Sequence, residues 1–274
     1  MFKIINEKTL RYIAFIFALS ILLTSVLRIF FDFNIKQKQI ILRITKFNRF
    51  DYYAVIAPDK KKYSNLILIG LPGDTLLINK AKPYINSKNI SKKFLYYFMI
   101  DLSNNSQKVS LEHFPISFIY TSFDNYYKLK KHLLILPVSQ PPYLVDTNIY
   151  PYNKKILWNK DNFGPFIIPY KGLKLKLNNY TYLLYAPIIK YYENTEIVKK
   201  GKHFFINNRK SDIYTFKNDY YFFLNKNLYI TTDSRQWGPL TRKKIIGRVI
   251  KMPKWLSLFI NLNLSYPITK KTDL

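Results

Sequence analysis

The hydrophobic pattern begins with one long phase. No charge occurs over residues 12–27, and after Arg28 the apolar run resumes as Ile29-Phe30-Phe31 and Phe33. As a helix, positions 12–33 would extend roughly 33 Å at ~1.5 Å per residue, enough for a bilayer core of ~30 Å. Arg28 lies near enough to the end to snorkel. The pattern predicts a transmembrane anchor over 12–33 behind a short basic segment, 1–11. A cleaved signal peptide and a buried core helix compete with it, but the run is long and no A-x-A site follows. Ser20 and Ser25 fall inside the segment, where a hydroxyl bonds a helix carbonyl. Flanking charge does not orient the anchor, because Lys36, Lys38, Arg43, Lys46 and Arg49 balance Lys3, Lys8 and Arg11.

Beyond residue 40 the period changes. Short β-branched and aromatic runs fall at 52–57, 65–69, 75–78, 117–120, 132–137, 166–169, 173–177, 204–206, 220–224 and 244–250. Turn signals punctuate them at Pro72-Gly73-Asp74, Gly164-Pro165, Lys171-Gly172, Lys199-Lys200-Gly201 and Gly238-Pro239. No run of helical period stands out, and no repeat recurs. The chain reads as mainly β and antiparallel behind one N-terminal helix. Its β part divides into 34–87 and 157–258 around an insertion over 88–156, with a tail over 259–274.

Composition changes this picture in two places. Over 274 residues, 48% hydrophobic content with 18% aromatics is enough for a core, which excludes disorder over most of the length. The charge of +28, from 44 Lys+Arg against 16 Asp+Glu, invites a nucleic-acid reading. Lys dominates over Arg, however, and accompanies heavy use of Asn, Ile, Tyr and Phe, the residues of AT-rich codons. That favours base-composition drift over a selected basic surface and makes nucleic acid an unfavoured partner. Zero Cys excludes disulfides, thiol catalysis and Cys-based metal sites. His113, His132 and His203 are isolated, so neither a metal site nor a cofactor is expected.

Three collinear segments carry more specific information. The first is Ile69-Gly70-Leu71-Pro72-Gly73-Asp74-Thr75 with Tyr84-Ile85-Asn86. The second is Asp233-Ser234-Arg235-Gln236-Trp237-Gly238-Pro239 with Ile246-Gly247-Arg248. The third joins Asp161-Asn162-Phe163-Gly164-Pro165, Ile168-Pro169 and Lys171-Gly172 to the run Tyr214-Thr215-Phe216-Lys217-Asn218-Asp219-Tyr220-Tyr221. In order and spacing these resemble bacterial signal peptidase I, the membrane-anchored Ser/Lys peptidases that cut leader peptides from exported proteins, in the longer form found in Bacteroidota. The turn Gly70, Pro72, Gly73 and Asp74 is similar to the family's GLPGD turn. Each motif also serves a fold unaided: Pro presets φ, Gly supplies positive φ, and Asp bonds its own backbone.

The resemblance implies a Lys base four residues before Gly70, and that position is Leu66. It implies a Ser nucleophile just after the anchor, where residues 31–40 hold no Ser or Thr and the ungapped position is Gln39. Without a base beside it a Ser hydroxyl is inert. In the supporting box over 225–235, Thr231 keeps a hydroxyl and Asp233 and Arg235 remain, while Asn225, Lys226 and Leu228 replace the family's Gly, Asp and Arg. Ser64, two positions from Leu66 on a strand, follows Lys60, Lys61 and Lys62, but a Lys on a solvated run stays protonated.

The expectation is therefore a signal peptidase I homologue with neither half of its dyad, anchored in the inner membrane with its β domain on the periplasmic side. Its implied partners are an exported precursor or leader peptide, the membrane, and an active signal peptidase. The alternatives are a basic β-rich module for nucleic acid or anionic lipid, supported by Tyr126-Tyr127-Lys128-Leu129-Lys130-Lys131 and Lys199-Lys200-Gly201-Lys202, and a structural envelope protein.

Overall fold

The computed structural model describes residues 15–16, 19, 22, 31–34, 39–43, 46–58, 62–101, 116–129 and 134–254. In chain order the strands are β1 (Phe31–Asn34), β2 (Gln39–Leu42), β3 (Tyr52–Ile56), β4 (Tyr63–Gly70), β5 (Thr75–Asn79), β6 (Lys82–Ile85) and β7 (Lys88–Asn89). There follow β8 (Tyr96–Asp101), β9 (Ile116–Thr121), β10 (Leu134–Pro137), β11 (Phe163–Ile167) and β12 (Lys174–Lys176). The remainder are β13 (Ile197–Lys200), β14 (His203–Ile206), β15 (Arg209–Lys210), β16 (Ile213–Thr215), β17 (Tyr220–Leu224), β18 (Leu240–Thr241) and β19 (Ile245–Lys251). Every pairing between strands is antiparallel within the units described below.

Residues 1–47 with 246–274 form one compact unit and 48–245 the other. In the first, β2 lies between β1 and β19, with Ile41 opposite both Asp32 and Val249. Gly247 is there because a Cβ would fall 2.2 Å from the Leu42 carbonyl oxygen, so only a bare backbone can approach. The anchor expectation lies largely outside the described residues. Within 12–33, Phe15, Ile16, Leu19 and Leu22 are helical and exposed, and Phe31–Asn34 form a strand in place of the last helical turn. Among the described residues no helix is long and apolar enough to cross a membrane.

The second unit holds several small sheets around one core. β4 pairs with β3 and β17, and β17 with β18. β5 pairs with β11 and β6, and β6 with β7. β8 lies between β9 and β10, β12 pairs with β16, and β13, β14 and β15 form a meander. Ile67, Ile69, Leu76, Phe163, Phe166, Leu184, Ile188 and Phe222 share one buried cluster. Each such side chain stabilises the fold by about 1.5–3 kcal/mol relative to exposure. Ile90, Phe94, Phe98, Tyr126, Ile149 and Tyr150, from the 88–156 stretch, pack in that same cluster.

Most expected strands recur with their ends moved by a residue or two, and β17 matches 220–224. Two differences have physical causes. Gly164-Pro165 does not separate strands; it lies inside β11, where the register to β5 shifts between Phe163 and Phe166. The second is a helix at Asn179–Tyr192, absent from the sequence reading because aromatic residues and Pro187 obscure its period. The structure secures its start with a capping box, Asn178 accepting from the Thr181 N–H and Thr181 Oγ1 accepting from the Asn178 N–H, both at 2.9 Å.

At the end of this helix Glu193 is 4% exposed and gathers the run 214–221. Its carboxylate accepts from the Tyr214 hydroxyl (3.1 Å), the Lys217 N–H (2.7 Å), Asn218 Nδ2 (2.9 Å) and the Tyr220 hydroxyl (2.7 Å). Burial pushes both hydroxyls above the ordinary 10.0, and the neighbouring carboxylate adds to it. The fold therefore favours the neutral phenols, so their stabilisation is complete below about pH 10 and is lost as pH rises beyond it. The urea midpoint should be flat between about pH 7 and 9 and fall above about pH 10, less steeply in Tyr220→Phe. Equal slopes in the two proteins would remove Tyr220 from this account.

Candidate functional site

The turn between β4 and β5 is held by one carboxylate. Gly73 takes φ +88°, a left-handed conformation suited to glycine. Asp74 Oδ2 accepts from the Leu71 N–H (2.6 Å) and Arg49 Nη1 (2.7 Å), and Oδ1 accepts from Asn86 Nδ2 (2.7 Å). Asn86 Oδ1 in turn accepts from the Thr75 N–H at 2.8 Å, while Arg49 also donates to the Ile69 carbonyl. The two halves of the first motif, 70–74 and 84–86, are thus one hydrogen-bonded device. Gly70 carries no side chain because a Cβ would fall 2.0 Å from Ile168 Cδ1 and 3.1 Å from Phe222 Cβ. With both oxygens engaged by three donors of the turn and its neighbours, Asp74 holds the turn in place.

Leu66 lies on β4 opposite Tyr53, and Leu68 opposite Phe223. Period-two alternation puts all four on one face of this sheet. Leu66 is 1% exposed, the other three are fully buried, and the rings of Tyr53 and Phe223 meet edge to face with centroids 6.0 Å apart. An apolar surface of this kind would drive a Lys amine toward its neutral form. The residue present is Leu66, which offers no proton acceptor. Ser64 shares the face through β4 and is only half-buried. Lys62 is exposed, and Lys60 and Lys61 lie outside the described residues.

Leu224 pairs with Ile67, so the antiparallel register delivers the 225–235 box beside Leu66. Its geometry is set by Asp233 and Arg235, exposed by 0% and 1%. Arg235 Nε donates to Asp233 Oδ1 (3.0 Å) and Nη2 to Oδ2 (2.7 Å), a bidentate pair. Nη1 donates to the carbonyls of Leu228 (2.7 Å) and Lys160 (3.1 Å), and Nη2 to that of Ile230 (2.7 Å). All five N–H donors of the guanidinium are used. Asp233 also accepts from the Asn225 N–H (3.0 Å) and caps the short helix Ser234–Trp237 through the Arg235 N–H (2.9 Å).

Within this frame Thr231 is half-buried, and its carbonyl accepts from the Asp233 N–H at 2.7 Å. Ser234 is fully buried and its hydroxyl accepts from the Phe223 N–H at 3.0 Å, so it acts as a splice between helix and strand. Lys226 donates to the Lys93 carbonyl, and burial together with the charge of Lys93 pulls its pKa below 10.5. Gln39, on β2, pairs with Asn34 and Lys251 in the first unit. Two cavities, of about 400 and 390 Å³, have linings that include none of Leu66, Thr231, Asp233 or Arg235. Among the described residues no three of His, Cys, Asp and Glu are grouped as a metal site.

Residues 167–255, about a third of the chain, match the family model described as signal peptidase, peptidase S26. The match supports a relationship to signal peptidases over that stretch of the chain. It contains Thr231, Asp233, Arg235 and Gly247, while Leu66 and the 70–74 turn precede it. No curated protein matches the chain. Sequence reasoning had no means of finding Arg49 and Asn86 as partners of Asp74, or Glu193 as the centre of the 214–221 run, because each is joined across many residues.

Arg235→Met leaves Asp233 buried without its counter-charge and three carbonyls without a donor. Urea unfolding should show a loss of about 3–5 kcal/mol, larger than the loss of about 1–3 kcal/mol for Asp74→Ala. A loss below about 1 kcal/mol for Arg235→Met would mean that the box holds together without it.

Proposed function

We propose that this chain is a signal peptidase I homologue that engages the leader end of exported precursors without cutting them, alone or beside an active peptidase. The observation that carries this reading is Leu66, 1% exposed on an apolar strand face at the position where the family's base belongs, beside a fully hydrogen-bonded Asp233–Arg235 box. A Ser/Lys peptidase needs an amine that can accept a proton from the nucleophile. Neither Leu66 nor Gln39 offers one, and Lys62 is exposed to solvent outside the apolar face. Binding requires less: an extended leader can be held by main-chain hydrogen bonds and shallow pockets. Membrane anchoring through 12–33, with the β domain on the periplasmic side, belongs to this proposal and not to the described structure.

The full-length protein should bind a leader peptide of an exported precursor and leave that precursor intact. Cleavage that disappears in Ser64→Ala, or in a triple alanine variant at Lys60, Lys61 and Lys62, would overturn the reading. Protease treatment of spheroplasts should degrade the β domain, and a protected domain would refute the placement.

A base alone should not revive the chemistry. Leu66→Lys buries an amine on the face of Tyr53, Leu68 and Phe223 and should cost several kcal/mol in urea unfolding. It should produce no cleavage, because no activated hydroxyl is supplied with it. Turnover by Leu66→Lys would show that a competent nucleophile already stands beside β4.

A further inference from the structure

The meander β13–β15 carries a charge distribution that neither the core nor the peptide site requires. Over 197–210 there are five formal cations, Lys199, Lys200, Lys202, Arg209 and Lys210, and no acid. All five are exposed, as is His203. Among the described residues none of the five forms an ion pair. The pairs Val198↔Phe205 and Lys200↔His203 define the outer face of the meander, and Phe205↔Lys210 extends it. Ile197, Phe204 and Ile206 turn the other way, into or against the core, and the register puts Lys199, opposite Phe204, and Arg209, opposite Ile206, on that side at the exposed rim. Beside the meander, a cavity of about 390 Å³ is lined by Lys176, Lys199 and Lys202, with Asp212 as its one acidic lining residue. Cations therefore border the meander on both sides.

Edge protection accounts for only part of this arrangement. β13 and β15 are the outer strands of their sheet, and Lys on an edge strand blocks unwanted pairing. Lys202, however, lies in the turn, and Lys200 folds over the Phe205 ring at 5.4 Å from its centroid. Repulsion among unpaired cations is relieved by an anionic partner that presents many charges at once.

We propose that β13–β15 is a docking surface for an anionic phospholipid bilayer. Three observations favour lipid over polynucleotide. Four of the five cations are Lys, which attract a diffuse negative surface as point charges and lack the planar fork that grips single phosphates. Phe205, the aromatic ring of the outer face, is half-buried and covered by Lys200, so it presents no open platform for base stacking. Ile213 is 53% exposed and lies opposite Lys176 in the β12–β16 pair, so an aliphatic side chain stands beside a cation as at a membrane interface. This docking is independent of whether a leader peptide binds elsewhere.

The test is hydrogen exchange of the full-length protein with vesicles of phosphatidylcholine, and with vesicles in which about 30% is phosphatidylglycerol. An N-terminal apolar segment meets both vesicles alike, so the difference between them reports the headgroup charge. Amides of 197–213 should exchange at least about threefold more slowly on the anionic vesicles, with protection lost in about 0.5 M NaCl. It should also be lost in Lys199→Gln/Lys200→Gln/Lys202→Gln, and reduced in Arg209→Gln/Lys210→Gln, with the alkaline unfolding behaviour of both variants unchanged. Equal exchange on the two vesicles, or protection that survives the triple variant, would overturn the proposal. Stronger protection by a single-stranded oligonucleotide than by anionic vesicles at physiological salt would replace it with a polynucleotide surface.

Discussion

The 225–235 box depends on a single buried guanidinium. Arg235 spends its five donors on Asp233 and on the carbonyls of Leu228, Ile230 and Lys160. Three of these partners lie in its own loop and the fourth comes from the 157–165 segment, so one side chain ties two distant stretches to the end of β17. Asp233 closes the arrangement by holding Asn225 where the strand ends and capping the helix that follows. Charge buried to this degree is tolerated only when every hydrogen-bonding direction is met, and here it is.

On the proposed non-cleaving reading, this is how such a box can outlast its chemistry. Asp233, Arg235 and Ser234 bond backbone throughout, and Asp74 does the same for the β4–β5 turn with Arg49 and Asn86. Removing any of them unsatisfies buried groups. A base at position 66 has no such bond to maintain, and an apolar strand face accepts Leu66 more readily than a desolvated amine. Selection on stability alone would preserve the frame and let the amine go.

What was legible in the sequence follows the same division. Strand faces and the Pro72-Gly73-Asp74 turn are local patterns, set by period-two alternation and by the φ that glycine permits, and they emerge nearly in place. Arg49 lies 25 residues from Asp74, Tyr220 lies 27 from Glu193, and no local pattern announces either bond. The helix Asn179–Tyr192 escaped for a related reason: tertiary burial of Leu184, Tyr185, Ile188 and Ile189 overrides a composition that favours strands. The Gly164-Pro165 step, expected to mark a turn, lies at a register shift inside β11, where local turn chemistry was recruited into a strand.

Net charge behaves differently from both. A drift toward AT-rich codons raises Lys wherever solvent tolerates it, so +28 by itself describes the gene more than the surface. Drift does not choose which cations are left without partners. Lys160 is matched by Asp161 at 2.6 Å and Arg49 by Asp74 at 2.7 Å, in segments where charge helps hold a loop. Over 197–210 the acids are missing altogether while the cations remain exposed on a short meander. Screening weakens attraction beyond about 8 Å at physiological salt, so an anionic surface senses this local excess and not the molecular total. The spacing of unmatched charge, more than its sum, is therefore the quantity through which a strongly basic chain of this kind acquires a preferred face.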